Sequence, residues 1–352
     1  MRTVKVGIHV LVICVCGWAT QAWPQEPTAA APTALVSAAP VSESQVPLQD
    51  QTDPADVKVP AVTHNSWSKG TAMPTALKFI MTGVIAGKVY VVGGVTNTAV
   101  VSKNQVYNPV TNTWSSKAAL PVPTCDAASA VVKNVLYVFG GSNDGVTVTN
   151  AVWAYNPMTN KWSAKFPMPT ARASVGAAVE NNIIYVIGGT DGHSRLNTVE
   201  SYNPATDTWT EEAPLIVGKS EPSVGLVGNT IVAADGFSAS GDTGDNEGYN
   251  ASTNSWKSLT TDPTGRNEAC TGPISGRLYV AGGSNGGVTN NTNVNDSFNL
   301  STNKWATLAP IPHPVVAAGS AVNKGLLYCF GGGDSTISFQ GKVFNFVQIY
   351  QP

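Results

Sequence analysis

Charge is scarce in this chain: Lys, Arg, Asp and Glu make up 12% of its 352 residues, and the formal net charge is -2. No run of Lys or Arg occurs, which excludes the electrostatic footprint of a nucleic-acid binder and a polybasic membrane anchor. Histidine is scarcer still. His9, His64, His193 and His313 are too few and too scattered for a His-rich metal centre. Of five cysteines, Cys14 and Cys16 lie near the N-terminus, leaving Cys125, Cys270 and Cys329, an odd number spread along the chain. A disulfide framework is therefore not expected, and these three read as small buried residues on separate structural units. Past the N-terminal segment no apolar run approaches the roughly 20 residues of a membrane-spanning helix. What is abundant is Gly, at 34, and Pro, at 23. With Asn, Thr, Val and Ser, they suit short strands joined by tight turns rather than long amphipathic helices.

The N-terminus has the order of a signal peptide. Arg2 and Lys5 precede an apolar run from Val6 to Trp18, and Ala19-Thr20-Gln21-Ala22 follows with small residues at its last and third-last positions. Cleavage is predicted after Ala22, giving a secreted or periplasmic protein with no membrane insertion. Neither cysteine in the segment follows a lipoprotein-type small-residue pair. Residues 23–60 are rich in Ala, Pro, Thr, Ser and Gln. Such a composition buries too little apolar surface to fold and reads as a disordered linker. The folded domain is expected over 61–352.

Aligning the chain with itself reveals a repeat. Gly93-Gly94, Gly140-Gly141, Gly188-Gly189, Asp235-Gly236, Gly282-Gly283 and Gly331-Gly332 are spaced 47, 48, 47, 47 and 49 residues apart. Each pair ends a strand-like run such as Leu136-Tyr137-Val138-Phe139. Beyond each of the first five comes an aromatic residue and, seven residues later, a Trp: Tyr107/Trp114, Tyr155/Trp162, Tyr202/Trp209, Tyr249/Trp256 and Phe298/Trp305. The sixth pair is followed by Tyr350 and then the chain ends, but an unmatched Trp67 stands at the start. Each of these six Trp precedes its pair by 26 residues, whereas the interval from the pair to the aromatic varies from 14 to 19. Insertions thus fall in one loop per repeat.

The Gly pair, the Tyr and the Trp at this period resemble the kelch repeat, from about His64 to the C-terminus. The resemblance implies an all-β, six-bladed kelch β-propeller whose last blade is closed by the N-terminal Trp67 strand, leaving few exposed sheet edges. Trp and Tyr are then blade-to-blade packing. The family includes peptide-binding adaptors, sugar-ring epimerases and the scaffold of copper oxidases, so fold alone does not fix function.

The constant interval lets positions be compared between repeats. Ten residues after each Trp stand Leu77, Thr124, Arg172, Lys219, Arg266 and Val315; twelve after stand Phe79, Asp126, Ser174, Glu221, Glu268 and Ala317. In an extended strand residues two apart point the same way, so both sets are expected to face one rim or channel. Arg172, Lys219 and Arg266 would then hold an anionic ligand through paired donors, with Asp126 beside them at the same face, or pair with Glu221 and Glu268 and merely keep a wet channel charged. Ser142, Thr190, Phe237 and Ser284, just after glycine pairs, resemble family positions that rim the same face, with Phe237 as a stacking surface. Asp242, Asp245 and Glu247 form an acidic cluster. Glu247, however, precedes Tyr249 by two residues, as Glu200 precedes Tyr202 and Asp296 precedes Phe298, which reads as a structural repeat position. No catalytic signature, metal site or cofactor motif is found.

These features favour an exported binding protein that takes a protein or glycan ligand, anionic if the cations face it, through the loop face. Two alternatives remain: a periplasmic sugar epimerase or mutarotase of the sialic-acid epimerase type, with Glu221 or Glu268 as acid or base beside Arg172 or Arg266, and a structural cell-surface protein. Oligomeric state is not legible.

Overall fold

The apolar runs that end in the glycine pairs form the second strands of four-stranded antiparallel sheets. In the first, the strands are Met81–Ile85, Lys88–Val92, Asn104–Asn108 and Thr113–Ser116, paired in that order. The computed structural model describes residues 64–286 and 289–352 and shows six such sheets among them. The expected signal peptide at 1–22 and linker at 23–60 lie outside the described residues. No helix among the described residues is long and apolar enough to cross a membrane.

Each sheet is a blade, and the first strand of every blade contacts the first strand of the next, around a closed ring. The sixth blade is made from both ends of the chain. Gly319–Asn323, Leu326–Phe330 and Val347–Gln351 are completed by Ser66–Lys69, with Trp67 opposite Tyr350. The expected closure is therefore the observed one. Second strands read as continuous apolar runs because both of their faces are covered by neighbouring blades; Val89, Val91 and Val92 are all fully buried.

The six Trp of the repeat sit in fourth strands, each opposite its aromatic partner; Trp162 faces Tyr155 with ring centroids 5.0 Å apart. Each indole also joins its blade to the preceding one. Trp114 Nε1 donates to the Thr71 carbonyl, Trp162 Nε1 to Ala118 and Trp209 Nε1 to Phe166, always four residues past the previous Trp. The residue two before each Trp adds a second staple. Asn112, Asn160 and Asp207 have φ of 53, 53 and 57°, and their Oδ1 atoms accept from the backbone NH groups of Thr71, Ala118 and Phe166. The same atoms accept from the hydroxyls of Tyr107, Tyr155 and Tyr202.

The glycine pairs serve a close approach between blades. Gly93 has φ of 63°, and a Cβ there would collide with the Thr124 carbonyl of the next blade, which also accepts from Gly94 NH at 2.8 Å.

The cysteine expectation needs correction. Cys270 and Cys329 do lie on separate blades, in the first strand of the fifth and the second strand of the sixth, but they form a disulfide. The spacing of cysteines along the chain conceals this, because the ring brings two repeat positions of different blades face to face. Cys125 carries a free, buried thiol.

Candidate binding site at the channel mouth

The first strands enclose a channel: one cavity of about 210 Å³ is lined by residues of all six blades, among them Thr82, Ser129, Gly176, Val224, Thr271 and Ser320. Hydroxyls stitch these strands together; Ser129 Oγ donates to the Thr82 carbonyl at 2.8 Å and Ser320 Oγ accepts from Thr271 NH at 2.9 Å.

At the mouth, the residues twelve after each Trp behave alike. Phe79, Asp126, Ser174, Glu221, Glu268 and Ala317 all have positive φ, between 52 and 56°. Main-chain hydrogen bonds link them around the ring: Asp126 NH to Phe79 O, Ser174 NH to Asp126 O, Glu221 NH to Ser174 O, Ala317 NH to Glu268 O and Phe79 NH to Ala317 O, at 2.7–3.0 Å. This left-handed conformation breaks the extended alternation. The residues ten after each Trp therefore do not share the direction of those twelve after.

That local geometry overturns the expected arc of cations. Arg172, Lys219 and Arg266 have no exposed surface and lie within their own blades. Arg172 Nη2 pairs with Glu200 at 2.8 Å, and its Nη1 donates to the Gly188 and Thr198 carbonyls. Lys219 Nζ pairs with Glu247 at 3.2 Å; Arg266 pairs with Asp262 at 3.1 Å and with Asp296. Neither Asp126, Glu221 nor Glu268 is the partner. The acids are instead those two residues before the aromatic, the position read above as structural, joined at Arg266 by Asp262. Ser142 and Ser284 are also buried, bridged through their backbones to Cys125 and Asn267 rather than presented at a rim. Of the acidic cluster, Glu247 holds Lys219, Asp245 accepts from Thr243 Oγ1, and Asp242 alone reaches the cavity described next.

What the mouth gathers is acidic. Asp126, Glu221 and Glu268 line a cavity of about 120 Å³ with Phe79 and Ala317. A second cavity, of about 330 Å³, continues outward from Glu221 and Glu268 between Arg195, Phe237, Asp242, Asn267 and Thr336. Phe237 is thus on the expected face, with the Arg195 guanidinium 5.0 Å from its ring centroid. Arg195, Asp242 and Thr336 sit in the loops of variable length, where the repeat offers no register, whereas Asn267 stands eleven after Trp256, between the two positions compared.

Burial raises the carboxyl pKa values at this mouth. Asp126 is pushed up to about 6 by desolvation against the Ser174 hydroxyl, which bonds it at 2.6 Å. Glu221 is pushed to about 8 by desolvation and then by the charge of Asp126, with Arg195 opposing. Glu268 lies well above the usual range for the same reasons, with Lys78 opposing. A carboxyl whose pKa rises on folding holds its proton more tightly when folded. Its contribution to stability is complete below the unfolded-chain value and is lost as pH climbs through the folded one. Stability should therefore fall between about pH 5 and 8, and Glu221→Gln should flatten part of that fall. Urea midpoints across this range check it, and a level wild-type profile refutes it.

Comparison with known proteins agrees with this architecture. The model of the KLHDC2/KLHL20/DRC7 kelch-repeats domain matches residues 50–168 and 84–223, and that of the kelch motif matches 265–312. The kelch repeat and BTB domain-containing protein 1 of Ectromelia virus (strain Moscow) is 33% identical over 97 residues, which is 26% of this chain and 17% of that protein. Kelch-like protein 33 of Homo sapiens is 30% identical over 79 residues, 22% of this chain and 15% of that protein. The chain thus spans about a sixth of the length of these curated relatives. The solved structure of YjhT superposes with a TM-score of 0.68 at 18% identity, covering 79% of this chain and 96% of the other, a likeness of fold. With six blades built on one Trp-to-glycine register and closed through both chain ends, the protein belongs to the kelch-repeat family as a β-propeller.

Proposed function

We propose that this chain is an exported binding propeller that recognises a protein or glycan through the loop face around its channel mouth. The observation that carries this reading is the cavity in which side chains of several blades converge on Glu221 and Glu268, with an aromatic wall at Phe237 and a guanidinium at Arg195. Convergence of polar groups from separate repeats is what a ligand site needs and blade packing does not. The Cys270–Cys329 disulfide, together with the signal-like N-terminus, supports an oxidising compartment. The kelch-named relatives favour protein binding over a purely structural role. Because the cations named from the sequence are buried in ion pairs, an anionic ligand loses its main support.

A combined glycan and peptide array, probed with the full chain and with a Glu221→Gln/Phe237→Ala variant, tests the reading. Ligands retained by wild type should be lost or weakened at least tenfold in the variant. Ligands kept in full would place recognition elsewhere. Sugar processing remains a second reading on one observation: Glu221, protonated near neutral pH, lies close enough to Arg195 to feel its charge, an acid beside a carboxylate-binding group. Anomer exchange at the rate of buffer, followed by NMR, removes it.

A further inference from the structure

Two buried side chains that line the outer cavity each leave an oxygen without a hydrogen-bond partner. Glu268 is 9% exposed, and its Oε2 has no hydrogen-bond partner; Asn267 is 6% exposed, and its Oδ1 has none either. Both residues line the same 330 Å³ space. The Nδ2 of Asn267 donates to Asp242 Oδ1 at 2.5 Å, which leaves its Oδ1 as the end that can only accept. Buried acceptors without partners are costly, at about 1–3 kcal/mol each. What enters here must bring donors.

It must also bring positive charge. Glu221, Asp242 and Glu268 line the cavity against a single cation, Arg195, and Asp126 adds a fourth carboxyl just inside. Lys78, the other nearby cation, is spent: its Nζ donates to the carbonyls of Ser335, Ile337 and Gln340 at 2.7–2.9 Å and so anchors the loop that carries Thr336. Asp242 is likewise committed, to Asn267 and to Gly286 NH.

The rim indicates the carrier of that charge. Phe237 and Thr336 wall the cavity, a surface for a methylene stem, and the residue after Thr336 begins an exposed apolar patch. Ile337 and Phe339 are each 39% exposed and Val146 is 80% exposed; the Phe339 ring packs over Gly145, next to Val146. Exposed apolar side chains beside a charged pocket form the anchor arrangement of protein interfaces rather than of a sugar site.

We propose that the outer cavity takes the primary ammonium group of a lysine side chain presented by a protein partner, held by Glu268, Asn267 and Glu221. The proposal rests on the loop face being the binding face and names the chemistry read there. A cation entering lowers the proton affinity of the carboxyls around it, so protons leave as it binds. The groups that set this balance are Glu221, Glu268, Asp126 and Asp242 on the acidic side, with Arg195 and Lys78 opposing. Affinity then rises with pH between 6 and 8.

The test is NMR titration of the full chain with Nα-acetyl-lysine amide, its Nε-acetylated form, the 6-hydroxynorleucine isostere and Nα-acetyl-arginine amide. The lysine probe is expected to bind at least tenfold more tightly than the other three, and more tightly at pH 8 than at pH 6. Glu268→Gln and Asn267→Leu should each weaken it at least fivefold while thermal melting shows both variants folded; should either not fold, Glu221→Gln supplies the same reading from the adjacent blade. Equal binding of the acetylated or hydroxyl probe, or unchanged binding in folded Glu268→Gln, overturns the proposal. Glucosamine oligomers binding more tightly than lysine peptides would overturn the protein source. Array ligands that bind the mouth yet carry no amine would sink the ammonium and leave the binding face standing; loss of every array ligand with the lysine probe still bound at Glu268 would do the reverse.

Discussion

Arg266→Ala is expected to lower the unfolding free energy by about 3–5 kcal/mol, the cost of breaking a buried ion pair from one side. The side chain is wholly enclosed between Asp262 and Asp296, both of which have no exposed surface, and its Nη1 satisfies the Val294 carbonyl. Desolvation and the neighbouring charge of Asp262 hold the buried Asp235 carboxyl well above its ordinary pKa, and Arg266 is the first group that opposes this. Its removal therefore leaves three carboxyls to share one buried space. Arg172→Met should cost a comparable amount. A paired Arg172→Met/Glu200→Met variant should recover only part of the loss, since the Gly188, Thr198 and Val186 carbonyls would still lack their donor. Urea denaturation with a double-mutant cycle measures both quantities. A loss below about 1 kcal/mol would mean that these cations are not structural after all, and would return them to the ligand question.

The second large effect concerns the Cys270–Cys329 bond, which closes a loop with a sequence separation of 59. Chain-entropy arguments give about 4 kcal/mol for a loop of this size. The bond ties the fifth blade to the sixth, the one assembled from both chain ends, so it shortens the path that the unfolded chain must close to complete the ring. A Cys270→Ala/Cys329→Ala variant should lose stability near that value, and wild type unfolded in dithiothreitol should fall to the same urea midpoint. Indifference of the wild type to reductant would show that the bond does not form in solution.

The repeat made the fold legible because it is enforced by contacts that recur blade after blade. A Trp that packs on the aromatic opposite and donates to the preceding blade cannot move by one residue without losing both, and so the interval of 26 is kept. The same regularity misled at the mouth. The sequence places Arg172 two residues before Ser174 and Lys219 two before Glu221, and extended geometry aligns such pairs; the positive φ at Ser174 and Glu221 does not announce itself in residues that are neither Gly nor Asn. A signal was nonetheless present. The three repeats with a cation ten after the Trp are the three with an acid two before the aromatic, namely Glu200, Glu247 and Asp296, while the others carry Gln105, Trp153 and Gln348. That match within one chain identifies the partners without coordinates. The outer cavity was harder to read, since Arg195, Asp242 and Thr336 come from loops whose lengths differ.

The six mouth positions are fixed by main-chain bonds, not by what their side chains touch, and Phe, Asp, Ser, Glu and Ala all occupy them. Within this one ring, acidic, polar and apolar side chains are thus carried on the same backbone frame, so the chemistry of the mouth and the closure of the blades are set by different atoms.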